Sequence, residues 1–230
     1  MTRAIIFGAG PHGGVVVEVL RAQGLFEVLG FLDDNICTHG TFVGGVPVLG
    51  GIEWAVANAA EDLAAIVAIG SNDARVAAAN RLRACGVQLV NAIHPSAVVM
   101  GNTELGTGNL ICPGAIVVAG TRIENEVILN TGATIDHDSV VHTGAQVASG
   151  VHTAGRVTIG RGAFIGVGAV LGPNVSIGDG CIVGAGSIVL SDLPANVIAT
   201  GKPAKVVVQL TEPVDWRRLL AGGHGGLPSQ

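Results

Sequence analysis

Two places in this 230-residue chain carry residue types and spacings that could do chemistry. The first is Asn130-Thr-Gly-Ala-Thr-Ile-Asp136-His137-Asp138-Ser139. Imidazole titrates near neutral pH, and a neighbouring carboxylate can fix its tautomer and raise its basicity, as a general base requires. An Asp-His-Asp triplet in isolation also fits a solvated corner, so its context has to decide. The second place is Gly8-Ala9-Gly10-Pro11-His12-Gly13, with Asp33 twenty residues beyond the last glycine. That is the spacing of a dinucleotide fingerprint, in which a turn and a helix N-terminus present backbone N–H groups to phosphate. His12 within the turn is a candidate ligand contact, although an imidazole there also suits a solvated turn. His94 before Pro95 reads as structural, and His39 and His224 lie in glycine-rich segments.

The elements that must position the first candidate follow a strict period of six. Stepping from Ile93 through Val99, Leu105 and Ile111 to Val189 visits seventeen positions, of which sixteen are Ile, Leu or Val and one is Thr153. Four residues after each from Ile93 to Val183 comes a small or slim residue, Asn109 excepted. Glycine precedes the slim residue in ten of the fourteen repeats from Leu105 to Val183. A helix has period 3.6 and a flat strand period 2, so neither alone gives six. Short strands joined by corners do, with one aliphatic inward per face and glycine or asparagine turning the chain. Three faces make an 18-residue coil, stacked on the next at about 4.8 Å. In this register Ile135 and Ser139 point inward, and His137 and Asp138 take an outward corner. A core of stacked aliphatics also explains why aromatics are only 3% and tyrosine is absent.

Residues before the repeat alternate differently. Strands are predicted at Ala4–Phe7, Val28–Leu32, Ala65–Ile69 and Val87–Ala92. Helices are predicted at Val15–Ala22 and Asp73–Ala84, with Ser71 and Asn72 as caps. This is β-α-β alternation and a parallel sheet. A complete dinucleotide fold needs two such halves, and only one fits before Ile93. A mononucleotide or nucleotide sugar therefore suits this front end better than a dehydrogenase coenzyme.

The order of these motifs resembles the bacterial sugar acyltransferases of the PglD/NeuD type. It comprises Gly-Ala-Gly-x-His, Phe31-Leu-Asp33-Asp34, Ile69-Gly-Ser-Asn72, His94-Pro95, Leu129-Asn-Thr, Asp136-His-Asp138, Ala154-Gly-x-Val-Thr-Ile-Gly160 and Gly201-Lys-Pro-Ala-Lys205. The match runs over residues 3 to 207. It implies a left-handed β-helix, a hand that the usual right-handed crossover rule would not give. It also implies acetyl-CoA as co-substrate, no metal, a nucleotide-linked amino sugar as acceptor, and a homotrimer with sites between adjacent β-helices. The expected acceptor is a 4-amino-4,6-dideoxy sugar in bacterial surface glycan biosynthesis. By this resemblance His137 is the general base, Asp138 orients it, and Asn130 lies nearby. Gly10, Pro11, His12, Asp33, Asp34, Gly70 and Arg75 line the sugar-nucleotide site. Gly155, Val167, Ala185 and Lys202 lie along the coenzyme A groove. Gln146 stands where many members carry a second histidine near the acetyl group. Gly155, 18 residues after His137, can sit directly above it and offer a backbone N–H to an oxyanion.

The expected organisation is a half-Rossmann domain at 1–92, a β-helix at 93–207 and a tail at 208–230, with a short helix over Val214–Leu220. Other readings compete less well. His137 and His142 are five apart, as in γ-type carbonic anhydrases, but Gly101, two coils before His137, cannot be the third zinc ligand. His152 follows a different corner phase. A cysteine nucleophile is disfavoured because Cys181 takes an inward position and Cys112 lacks a nearby base. O-acetylation of a sialic acid remains the alternative acyl transfer. The net charge of -5, without a basic cluster, argues against nucleic acid or anionic lipid as partner. No apolar run nears the roughly 18 residues of a membrane span, and the scattered cysteines read as reduced, so a cytoplasmic location is expected.

Overall fold

The computed structural model describes residues 1–60 and 62–211. Its front end is a six-stranded sheet, β1 (Thr2–Phe7), β2 (Phe26–Leu32), β3 (Phe42–Val43), β4 (Val46–Gly50), β5 (Leu63–Val67) and β6 (Gln88–Leu89). The strand order is β3-β4-β2-β1-β5-β6, parallel except for the β3–β4 hairpin. Helices α1 (Pro11–Gln23), α2 (Ile52–Ala57) and α3 (Asn72–Ala84) complete it. Ser71 caps α3 by accepting the Ala74 N–H. The predicted fourth strand, Val87–Ala92, divides. Gln88–Leu89 closes the sheet, whereas Ala92–Ile93 is already the first rung of the next structure.

Seventeen two-residue strands follow, from Ala92–Ile93 to Ile188–Val189, and the first fourteen each pair in parallel with the strand 18 residues on. They stack into three faces, here numbered by their first strands: face 1 from Ala92–Ile93, face 2 from Val98–Val99 and face 3 from Glu104–Leu105. Ile111, Val117, Ile123, Leu129, Ile135 and Val141 fill the interior without solvent contact. A final hairpin, Val197–Gly201 with Ala204–Gln209, extends face 1. The predicted helix over Val214–Leu220 lies outside the described residues.

The corners explain the glycines. In all fourteen repeats from Leu105 to Val183 the residue before the slim one has positive φ, and four of these are not glycine: Glu126, Asp138, Arg156 and Asn174. An L-residue there costs roughly 1 kcal/mol or more. Three of the four, Asp138, Arg156 and Asn174, stack on the single edge between faces 2 and 3.

The front domain docks on face 1. Val16, Val17 and Leu20 of α1 pack against Ala92, Leu110 and Ile128. Arg75 of α3, only 1% exposed, fastens the adjoining edge between faces 3 and 1. Its Nε donates to the Glu126 carbonyl (2.9 Å) and Nη2 to the Gly144 carbonyl (2.8 Å). Nη1 donates to Ile69 O and Nη2 also to Asn72 Oδ1, while Asn72 Nδ2 reaches Gly162 O at 2.8 Å. Arg75→Met strands these buried acceptors and is expected to cost about 2–4 kcal/mol in urea unfolding. Arg75→Lys recovers little of it, because one ammonium cannot span the same fork of acceptors. A Lys variant with wild-type stability would show that the fork is dispensable.

Candidate functional site

On the edge between faces 2 and 3, the peptide of Asp136 leaves Thr134–Ile135 and turns outward. Asp136 Oδ1 accepts the His137 N–H at 2.7 Å, and Arg156 N–H donates to the His137 carbonyl at 2.8 Å. The backbone is thereby held on both sides of the imidazole. Asp138 adopts φ 56°, which turns its carboxylate back to lie 2.8 Å from His137 Nδ1. With Nδ1 engaged, the other ring nitrogen is the one available to take a proton. The pair is accessible, with side chains 46% and 62% exposed.

Glycines bracket this pair from the coils on either side. A Cβ on Gly155 would lie 2.4 Å from His137 Nε2, and one on Gly120 would lie 2.4 Å from Asp138 Oδ1. The imidazole therefore rests directly on the Gly155 backbone, as the 18-residue spacing implied. Among the described residues the Gly155 N–H donates to no other group. An imidazole and a glycine whose N–H has no other acceptor thus lie in adjoining coils, and such a pair could serve acyl transfer to an amine or hydroxyl.

The other predicted residues lie elsewhere on the chain. Val167 and Ala185 are exposed on the edge between faces 1 and 2, one coil apart. Lys202 is exposed in the turn of the final hairpin. Gln146 is on face 1, between Ile128 and Phe164 in the neighbouring rungs, 6% exposed and with Oε1 unpartnered among the described residues. Within one chain it is across the prism from His137.

In the front domain, Gly8 has φ 115° and packs against the Ala68 carbonyl, while Gly13 lies against Gly8 O and the Phe31 ring. Gly10 has nothing within 4 Å of an added Cβ and begins α1 without a side-chain cap. Its helix N-terminus is open to an anion. Pro11 is exposed beside it, and Gly70 follows β5. Asp33 closes the glycine turn, accepting the Ala9 and Asn35 N–H groups at 2.8 Å each. Asp34 pairs with Arg81, whose hydrogen bonds hold the carboxyl below its usual range. Arg75, predicted to line the sugar site, has its guanidinium bonded to carbonyls at the domain junction. Those bonds tie the front domain to the β-helix.

His142, the partner in the metal reading, lies at the far edge of face 3, with Nδ1 3.0 Å from Glu124 Oε1. Burial alone would raise the Glu124 carboxyl, but hydrogen bonds from Thr143 and His142 outweigh it and hold the pKa at about 2. Among the described residues no three His, Cys, Asp or Glu side chains are grouped to hold a metal. Burial pushes the Cys112 thiol up to about 11 and that of Cys181 up to about 12, which removes the thiolate that nucleophilic attack needs. No helix among the described residues is long and apolar enough to cross a membrane.

Residues 3–82 match the PglD N-terminal domain, and residues 156–191 match the bacterial transferase hexapeptide with six repeats. The chain is 30% identical over 164 residues to GDP-perosamine N-acetyltransferase of Escherichia coli O157:H7, 69% of this chain and 73% of that one. It is 34% identical over 114 residues to UDP-N-acetylbacillosamine N-acetyltransferase of Bacillus subtilis strain 168, 48% of this chain and about half (51%) of that relative. The acetyltransferase domain of PglB from Neisseria gonorrhoeae FA1090, in complex with acetyl coenzyme A, superposes with a TM-score of 0.85 at 33% identity, over 90% of this chain and 99% of that one. A histidine-to-asparagine variant of perosamine N-acetyltransferase from Caulobacter crescentus, in complex with CoA and GDP-perosamine, gives 0.83 at 39% identity, over 90% and 97%. A parallel α/β domain docked on a left-handed hexapeptide β-helix, with a histidine–aspartate pair on its edge, defines an acyltransferase of the hexapeptide-repeat class. Within that class, the chain belongs to the PglD-type sugar acetyltransferases.

Two outcomes follow. Gly155→Ala places a methyl group into the imidazole and is expected to lower kcat at least a hundredfold with little change in Tm. Wild-type turnover in that variant would remove Gly155 from the site. Separately, burial and the nearby Arg75 push the pKa of His12 from 6.5 down to about 4. Between those values the unfolded chain binds more protons than the folded one. Stability is therefore full above about pH 6.5 and falls, by up to about 3 kcal/mol, as the pH drops toward 4. Urea midpoints measured from pH 7 to 4.5 should decline less steeply in His12→Gln, and an unchanged slope would contradict the burial of a neutral imidazole.

Proposed function

We propose that this protein transfers the acetyl group of acetyl-CoA to the amine of a nucleotide-linked 4-amino-4,6-dideoxy sugar, directly and without a covalent enzyme intermediate. The observation that carries the reading is the His137 imidazole, tied to Asp138 through Nδ1 and resting on Gly155. His137 Nε2 takes the proton from the sugar amine as its nitrogen bonds to the thioester carbonyl carbon. The Gly155 N–H donates to the carbonyl oxygen as it gains negative charge. The C–S bond then breaks, the His137 imidazolium returns its proton to the departing sulfur so that coenzyme A leaves as the thiol, and the amide remains on the sugar. Asp138 keeps the tautomer that leaves Nε2 free and stabilises the imidazolium between the two proton transfers. The relatives named for perosamine and bacillosamine support a nucleotide amino sugar as acceptor.

The same reading calls for a homotrimer. The glycine turn sits on face 1, while His137 sits on the edge between faces 2 and 3, the edge opposite that face. A sugar nucleotide held at Gly10 cannot bring its amine through the prism to the base of its own chain. Packing of three β-helices side by side sets the front domain of one chain beside the His137 edge of its neighbour. The Val167–Ala185 edge and Lys202 are then positioned to line a coenzyme A groove between chains. Gln146 and His12 each carry a buried side-chain atom with no partner among the described residues.

Purified protein should release thiol from acetyl-CoA with a nucleotide amino sugar such as GDP-perosamine, and His137→Ala should lower kcat by about 10²–10⁴. Release only with hydroxyl sugars such as sialic acid would move the reading to O-acetylation. No release with either class would reject acetyl transfer.

A further inference from the structure

Thr153 is the one polar residue in the seventeen-position aliphatic series, and it falls one coil above Ile135, next to the turn that carries His137. On face 2 the backbone ladder has a regular bond at this level. Met100 N–H donates to Val117 O, Val118 to Ile135 O, Ala154 to Leu171 O and Gly172 to Val189 O, at 2.8–3.1 Å. Asp136 breaks the series, since its N–H donates to the Thr153 hydroxyl at 3.0 Å instead of to the Thr153 carbonyl. The paired strands accordingly share one aligned residue pair here, Thr134 with His152, where the neighbouring coils of this face share two.

Two more buried hydroxyls hold the same turn. Thr121 Oγ donates to the Asp136 carbonyl at 3.0 Å and accepts the Ser139 N–H at 3.4 Å. Ser139 Oγ donates to the His137 carbonyl at 3.4 Å and accepts the Val157 N–H of the next coil at 3.1 Å. Thr121 and Ser139 are each 1% exposed and Thr153 is 7% exposed, so water does not compete for these bonds.

We propose that Thr153 is a positioning residue for the general base. Its hydroxyl replaces a ladder carbonyl, lifts the Asp136 peptide off the regular coil, and so sets where the His137 ring lies over Gly155. Valine has the same shape and is what the repeat asks for, yet it offers no acceptor. In Thr153→Val the Asp136 N–H returns to the ladder carbonyl and draws the His137 backbone with it.

This inference rests on the reading of His137 as the base, so steady-state kinetics of wild type, Thr153→Val, Thr153→Ser and His137→Ala belong in one experiment. Each would be assayed with acetyl-CoA and the panel sugar that wild type turns over, alongside thermal unfolding. The expected result is a Thr153→Val protein with Tm equal to or above wild type, KM for both substrates within about twofold, and kcat down about tenfold or more. Thr153→Ser keeps the hydroxyl and stays within about threefold of wild type. Should the valine variant fail to fold, Thr153→Ala is expected to lose kcat likewise while serine does not. Wild-type kcat in the hydroxyl-free variant beside an inactive His137→Ala overturns the proposal. Equal losses in the serine and hydroxyl-free variants also overturn it, since packing and not the hydroxyl would then matter. An active His137→Ala, or a wild type silent across the panel, overturns the reading beneath it and this proposal with it.

Discussion

Fourteen successive corners of the β-helix, from Gly108 to Gly186, pass through a left-handed backbone conformation, and that single requirement organises the rest of the molecule. Glycine meets it at little steric cost, so most corners are small, bare and closely stacked. The stack can then close on a column of aliphatics with no aromatic filling. Where another residue takes the corner it bears strain, and the edge between faces 2 and 3 accumulates three such residues. Asp138 is one of them. The conformation that strains its backbone is also the one that returns its carboxylate to His137 Nδ1. Chemistry and strain coincide there because a regular glycine corner presents no side chain at all.

The glycines that remain on that edge are as important as the residues that replace them. Gly155 and Gly120 leave the space that His137 and Asp138 occupy, since any side chain at either position would overlap the pair. The histidine–aspartate pair is thus formed by one coil and accommodated by the two that flank it. Rigidity comes from the parallel ladder, whose bonds hold each coil to the next. The three buried hydroxyls are polar exceptions in an apolar stack, and each bonds the backbone of the turn that it holds.

At the domain junction the same logic uses charge. Arg75 is buried, and backbone carbonyls from two corners of the β-helix receive its protons. Glu126 stands at one of those corners, itself buried and paired with Arg83. Helix α3 is in this way tied to the solenoid. Docking on face 1 leaves the His137 edge uncovered by its own front domain.

Much of this was legible in the residues themselves. The six-residue period gave the rungs, the inward column and the outward placement of His137, and the 18-residue coil put Gly155 above it. These are consequences of repetition, in which each rung meets only its neighbours, so local spacing becomes three-dimensional position. Thr153 was visible as the one break in the series, but its meaning needed the missing ladder bond. The β3–β4 hairpin, the division of Val87–Ala92, the burial of Arg75 and the separation of Gln146 from His137 were settled only by the tertiary structure. Each depends on which face the front domain covers, and that choice is made by packing and hydrogen bonds between residues 50 to 90 positions apart. No periodicity encodes such contacts, because nothing about Arg75 within its own helix distinguishes a solvated arginine from one that holds two domains together.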